Sequence, residues 1–264
     1  MDLMTDAAVD TASLVRRLRA AGCVFAEEEA AILQDATDDV GELDALCTRR
    51  ERGEPLEHLV GWVGFGGLRL AVGPGAFIPR QRSLFLAALA AEAAARRADP
   101  LLCEAFCGVA PLAAWIRHRM PGVRLLASDL DEISLGYARR NLGEEARIVH
   151  GSGLAALPRE YEQQIDVLAA VPPYVPESEA EFMPHESRDH EPGGAVFAGV
   201  DGLDFIRQTL DEALRWLAPA GVMLLEMNHG QLDTAGRYAE AQGLSVSHFL
   251  GEDGQTAVLE ARLG

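Results

Sequence analysis

Val171-Pro172-Pro173-Tyr174-Val175-Pro176 is the stretch from which the chain can be read in both directions. Behind Asp166, the apolar run Val167-Leu168-Ala169-Ala170-Val171 reads as a buried strand that feeds straight into two prolines. Each proline fixes φ at about −65° and donates no N–H. The result is a stiff corner at a strand end, with backbone carbonyls free to face a ligand and an aromatic side chain, Tyr174, beside them.

Outward from this corner, strand and helix patterns alternate. Upstream, strands are predicted at 101–106, at 125–128 with Asp129 at the end, at 147–150 and at 165–170. Helices are predicted at 84–97, an Ala-rich stretch, at 111–120 and at 131–142. Downstream come a helix over 203–217, a strand over 222–227, and an antiparallel pair at 245–250 and 256–262 that closes the sheet. Such alternation predicts an α/β doubly wound sheet with its ligand crevice at the carboxyl ends of the strands. Three predicted strand ends, 104–110, 128–130 and 170–174, converge on that crevice. The first turn of such a fold lets a ligand approach the main chain, and an acid ending the second strand accepts hydrogen bonds from ribose hydroxyls. Glu104 and Asp129 occupy those places.

The first eighty residues differ in pattern. Apolar clusters at helical spacing (Leu14, Val15, Leu18; Ala30, Ile32, Leu33; Leu43, Leu46) predict a small helical domain over 1–54, with Glu27-Glu28-Glu29 as a solvated face. From Leu56 the pattern turns to alternation through His58, Val60, Trp62, Val63, Phe65, Leu68, Leu70 and Val72, with Gly66-Gly67 in the middle. This predicts a β-hairpin linker over 55–80 that ends in Phe77-Ile78-Pro79-Arg80. The sheet then occupies 81–264.

Composition narrows the function. The chain has 264 residues, is 48% hydrophobic and carries a net charge of −18 without a single lysine. An acidic surface repels phosphate backbones, so direct nucleic-acid binding is not expected. The first twenty residues interleave Asp2, Asp6 and Asp10 with Arg16, Arg17 and Arg19 and hold no long apolar run, so neither a secretory signal nor a membrane span is expected and the location is read as cytoplasmic. Cys23, Cys47, Cys103 and Cys107 lack zinc-site spacing and read as free thiols. His185, His190 and His229 are scattered over predicted loops, and Trp62, Trp115 and Trp216 read as packing residues, so no metal centre is expected.

The Pro-Pro-Tyr corner resembles the Asn-Pro-Pro-Tyr motif of class I S-adenosylmethionine (SAM)-dependent N-methyltransferases. Glu54-Pro55-Leu56 through Pro79-Arg80, together with His190-Glu191-Pro192, Gly199 to Asp204 and Leu224-Leu225-Glu226, is similar to the HemK/PrmC protein-glutamine N5-methyltransferases over nearly the whole chain. The resemblance implies a Rossmann-like seven-stranded sheet, an N-terminal helical substrate or partner domain and a linking hairpin. It also implies that S-adenosylmethionine, or its product S-adenosylhomocysteine (SAH), binds against Arg80, Glu104, Ala105, Phe106, Gly108, Asp129, Leu130, Gly153 and Leu154. Val171, Pro172, Pro173 and Tyr174 would line the reacting end.

Two departures qualify what carries over. The family's Asp-Leu-Gly-Thr-Gly-Ser-Gly-like loop is Glu104-Ala105-Phe106-Cys107-Gly108-Val109-Ala110 here, with one glycine left. The family's Asn, which orients a planar amide nitrogen toward the methyl carbon, is Val171; valine can neither donate nor accept a hydrogen bond. The expectation is therefore a SAM-using transferase redirected from glutamine to a small apolar or aromatic acceptor, with the 175–198 loop as its lid and Phe182 and Phe197 as its contacts. Three alternatives stay open: ring closure of a sulfonium substrate that already carries the adenosyl group, a catalytically inactive binding protein, and a glutamine methyltransferase acting on a protein acceptor through the helical domain.

Overall fold

The computed structural model describes residues 10–182, 192 and 196–263. Strands β3 (Leu101–Ala105), β4 (Arg124–Asp129), β5 (Arg147–His150), β6 (Ile165–Ala170), β7 (Leu217–Asn228), β8 (Leu244–Leu250) and β9 (Thr256–Leu263) form one sheet in the order β5-β4-β3-β6-β7-β9-β8. β3, β4, β5, β6 and β7 are parallel, and β9 runs antiparallel to both β7 and β8. The strand order reverses between β3 and β6, which opens a crevice at their carboxyl ends.

Side chains alternate across the sheet, so each face has its own core. On the near face, Leu102, Val167, Ala169, Val222 and Leu224 pack with α5 (Leu84–Ala94), α6 (Pro111–Arg119) and α7 (Glu132–Leu142). On the far face, Cys103, Ala105, Leu168, Ala170 and Leu225 pack with α8 (Asp204–Trp216) and α9 (Leu232–Ala241). Cys47, Cys103 and Cys107 are buried free thiols, Cys23 is half-buried, and burial pushes the Cys103 and Cys107 thiols up. Trp216 is fully buried on the far face.

Upstream, α1 (Thr11–Ala20), α2 (Ala26–Ala36) and α3 (Val40–Glu51) enclose a third cluster around Leu14, Leu18, Leu33 and Leu46. The hairpin strands β1 (Trp62–Phe65) and β2 (Leu68–Ala71) meet across Gly66-Gly67 as expected. Asn141 of α7 binds the hairpin to the sheet, accepting from the Ala71 amide at 2.7 Å and donating to the Ala71 and Val109 carbonyls at 3.0 and 2.8 Å.

Two elements differ from the sequence reading. Residues 56–60 form a helix, α4 (Leu56–Val60), and not the start of a strand. Pro55 occupies its N-cap, and Leu56, Leu59 and Val60 sit at helical spacing against the third cluster while His58 turns inward to the Ala76 carbonyl at 3.0 Å. Helix α9 was not anticipated, because its buried positions Ala235 and Ala239 are too small to register as an apolar stripe.

Candidate functional site

A cleft of about 470 Å³ opens at the carboxyl ends of β3, β4 and β6. Its walls come from four places: the loop after β3, the end of β4, the Pro-Pro-Tyr corner after β6, and the segment Phe77–Ser83 that follows the hairpin.

The loop after β3 keeps a left-handed backbone without the glycines that usually supply it. Phe106, Gly108 and Ala110 have φ of 53°, 53° and 60°. For Phe106 and Ala110 this conformation costs about 1–2 kcal/mol each. The Phe106 ring turns toward α8, edge-on to Phe205 with centroids 5.7 Å apart, and packs on the far-face core. It therefore borders the cleft without filling it.

Glu104 lies beneath this loop. Its carboxylate is 2% exposed and accepts from the first-turn amides of α6, Leu112 at 3.2 Å and Ala113 at 2.7 Å. Burial pushes its pKa up to about 8, against the pull of those two amides, and the nearby Asp129 charge adds to the rise. Between the ordinary 4.5 and about 8 the folded protein holds a proton on Glu104 that the unfolded chain has released, so the contribution of Glu104 to stability is fully present below 4.5 and is lost as pH rises through about 8. The melting temperature is expected to fall by several degrees across that window, at about 2–4 °C per kcal/mol, and Glu104→Gln is expected to flatten the fall. Parallel melting profiles for the two proteins would contradict this assignment.

Asp129 ends β4. One carboxylate oxygen accepts from the Gly108 amide at 2.7 Å and the other from the Asp131 amide at 2.8 Å. Each oxygen keeps a second lone pair, and the residue lines the cleft. Burial raises its pKa while those amides lower it. Asp131 in turn caps α7, accepting from the Ile133 and Ser134 amides, so Asp129 stands on a fixed base. Leu130, 66% exposed, extends the wall outward.

At the corner, Pro172 and Pro173 are buried and Val171 packs on the near-face core. Gln231 holds the corner from behind, its side-chain amide donating to the Tyr174 carbonyl at 2.9 Å and to the Asp201 carbonyl at 3.0 Å. The Tyr174 hydroxyl accepts from Arg82 at 2.9 Å and reaches Glu226 at 3.5 Å. Glu226, on β7, is fully buried, and the Arg82 guanidinium lies 3.8 Å away. Burial raises the Glu226 pKa; Ser83, Arg82 and Tyr174 oppose the rise.

Eleven of the thirteen residues read from sequence line this one cleft: Arg80, Glu104, Phe106, Gly108, Asp129, Leu130, Gly153, Val171, Pro172, Pro173 and Tyr174. Ala105 and Leu154 do not; both are buried in the far-face core. In Ala105 this follows from strand alternation, since its neighbour Glu104 takes the near face. Of the lid residues, Phe197 is half-buried and off the cleft, where Val196 stands instead; its parallel bridge to Val175 turns it aside. The side chain of Phe182 and residues His185 and His190 lie outside the described residues. Arg82, Ser83, Phe205 and Glu226 were not assigned to the site from sequence; β-alternation along Val222–Glu226 puts Glu226 on the face of Val222 and Leu224, and the β6–β7 register is what brings Val171 to that face. Among the described residues no group of His, Cys, Asp and Glu could hold a metal, and no helix is long and apolar enough to cross a membrane.

A reversing parallel sheet with a strand-end acid and a Pro-Pro-Tyr corner defines a class I methyltransferase fold. A methyltransferase structure from Pyrococcus furiosus superposes with a TM-score of 0.55 at 20% identity, covering 75% of this chain and 91% of its own. The chain belongs to the HemK/PrmC family of release factor glutamine methyltransferases. It is 34% identical over 204 residues to the release factor glutamine methyltransferase of Deinococcus radiodurans, covering 74% of this chain and 72% of that one. It is 36% identical over 184 residues to the Streptomyces coelicolor protein of that name, covering 69% of this chain and 65% of the relative, so the match spans just under two thirds of that relative's length. A 4-amino-L-phenylalanine/4-methylamino-L-phenylalanine methyltransferase from Streptomyces pristinaespiralis is 35% identical over 201 residues, covering 74% and 68% of the two chains. No protein-family model matches the chain.

Proposed function

We propose that this chain is a SAM-dependent methyltransferase whose acceptor is a small apolar or aromatic molecule in place of the release-factor glutamine. The cofactor's fit rests on the open cleft: Asp129 offers free lone pairs to ribose hydroxyls, Gly108 brings the main chain close, and Phe106 and Leu130 flank the place for the adenine. When bound, the cofactor supplies an electrophilic methyl group.

The observation that carries the acceptor reading is Val171. It stands at the cleft where a glutamine methyltransferase of this family has an amide-orienting Asn, and it has no hydrogen-bonding atom. Methyl transfer depends on in-line placement of the nucleophile, and a site that has lost its amide partner loses its preference for an amide. Apolar Val171, Val175 and Val196 line the same cleft. The name of the Streptomyces pristinaespiralis relative, an aminophenylalanine methyltransferase, is consistent with an aromatic amine as acceptor at this corner.

The test is methyl transfer from labelled SAM to a Gly-Gly-Gln peptide and, in parallel, to a panel of substituted anilines and phenols. The peptide is expected to be labelled at least about 100-fold more slowly than the best small acceptor. Equal or faster labelling of the peptide would overturn the reading in favour of a protein-glutamine methyltransferase reached through helices α1–α3.

A further inference from the structure

The parallel pairing of β6 with β7 ends at Ala170 and Leu225, which carries Val171 and Glu226 to neighbouring places one residue further on. Alternation sets both on the near face, since Ala169 and Leu224 belong to the core on which Val171 packs. The two side chains are opposite in kind. Val171 offers nothing polar, whereas Glu226 is fully buried at the base of the cleft. The Ser83 hydroxyl also serves this carboxylate; the Glu226 Oε1 faces the Tyr174 hydroxyl at 3.5 Å and Arg82 at 3.8 Å, and its Oε2 has no hydrogen-bond partner among the described residues. Leaving a buried acceptor unpaired carries a penalty, and buried polar groups are otherwise almost always satisfied. An unpaired carboxylate oxygen beside Val171 can accept a hydrogen bond from a ligand.

We infer that Glu226 receives the N–H of the acceptor and that the acceptor is an apolar aromatic primary amine; this rests on the methyltransferase reading above. The amine lone pair forms the N–C bond to the methyl carbon, the electron pair of the broken S–C bond stays on sulfur, and the resulting ammonium gives its extra proton to the Glu226 carboxylate. A carboxylate is too weak a base to strip a phenol or an alcohol, but it matches the acidity of an N-methylanilinium. Arg82, whose side chain is 49% exposed, lies beside Oε1 and leaves Oε2 to the amine.

Calorimetry on the SAH-saturated chain with aniline and toluene, which share a shape and differ in the N–H, tests this. The wild type is expected to bind aniline at least about 10-fold more tightly than toluene. Glu226→Leu and Glu226→Met both remove the acceptor, the second at nearly the same side-chain length; both are expected to narrow the preference to within about three-fold. Equal binding of the two probes by the wild type, or an undiminished preference in the folded Glu226→Met variant, overturns the inference while leaving the methyltransferase reading intact. A wild type that does not bind SAH overturns both.

Discussion

Replacing Asp129 with Ala is expected to weaken SAH binding at least about 100-fold, because two hydrogen bonds from ribose hydroxyls to an ionised acceptor are lost at about 1.5–3 kcal/mol each. The loss has a second source. Asp129 also holds the Gly108 and Asp131 amides at 2.7 and 2.8 Å, so its removal frees the loop that must lie against the ligand. The strand itself survives, since Ala127 and Ser128 remain paired with β3 and the side chain ends β4 without entering a core. Titration calorimetry of the variant alongside its melting curve separates the two effects. Unchanged affinity in a folded Asp129→Ala protein would mean that the nucleoside does not sit at this strand end.

A second large effect is expected directly behind the Pro-Pro-Tyr corner. Gly202 has φ of 73°, and a Cβ there would lie 2.2 Å from the Tyr174 carbonyl oxygen and 2.6 Å from the Gln231 side-chain nitrogen. Gly202→Ala thus adds the strain of a left-handed alanine, crowds backbone that cannot yield, and breaks the Gln231 bonds that hold the corner. Together these are expected to lower stability by about 3–5 kcal/mol, which corresponds to roughly 10 °C in melting temperature. Denaturant unfolding reads the change directly, and a loss below about 1 kcal/mol would show that the corner does not depend on this contact.

The corner and the sheet were legible because their signals are local. Two prolines pin Val171 to Tyr174 whatever the surroundings, and an acid that closes an apolar run marks Asp129. What was illegible depends on register and on backbone twist. The Arg82 to Tyr174 contact joins residues ninety-two positions apart, and the meeting of Val171 with Glu226 needs the β6–β7 pairing to be known. Phe106 and Ala110 adopt glycine-like φ angles that nothing in their side chains announces. Glu104 was placed at the cleft, yet its two oxygens are taken by the amides of α6, which makes it a support for the loop. Residues 56–60 were misread because Leu56, His58 and Val60 alternate as a strand would, while Pro55 and Gly61 bracket one helical turn.

The most direct measurement is a calorimetric titration of the unmodified chain with SAH. One molecule bound per chain, with a dissociation constant below about 1 mM, is the predicted result. The absence of binding at millimolar SAH would contradict the enzymatic reading and leave the cleft without its nucleoside.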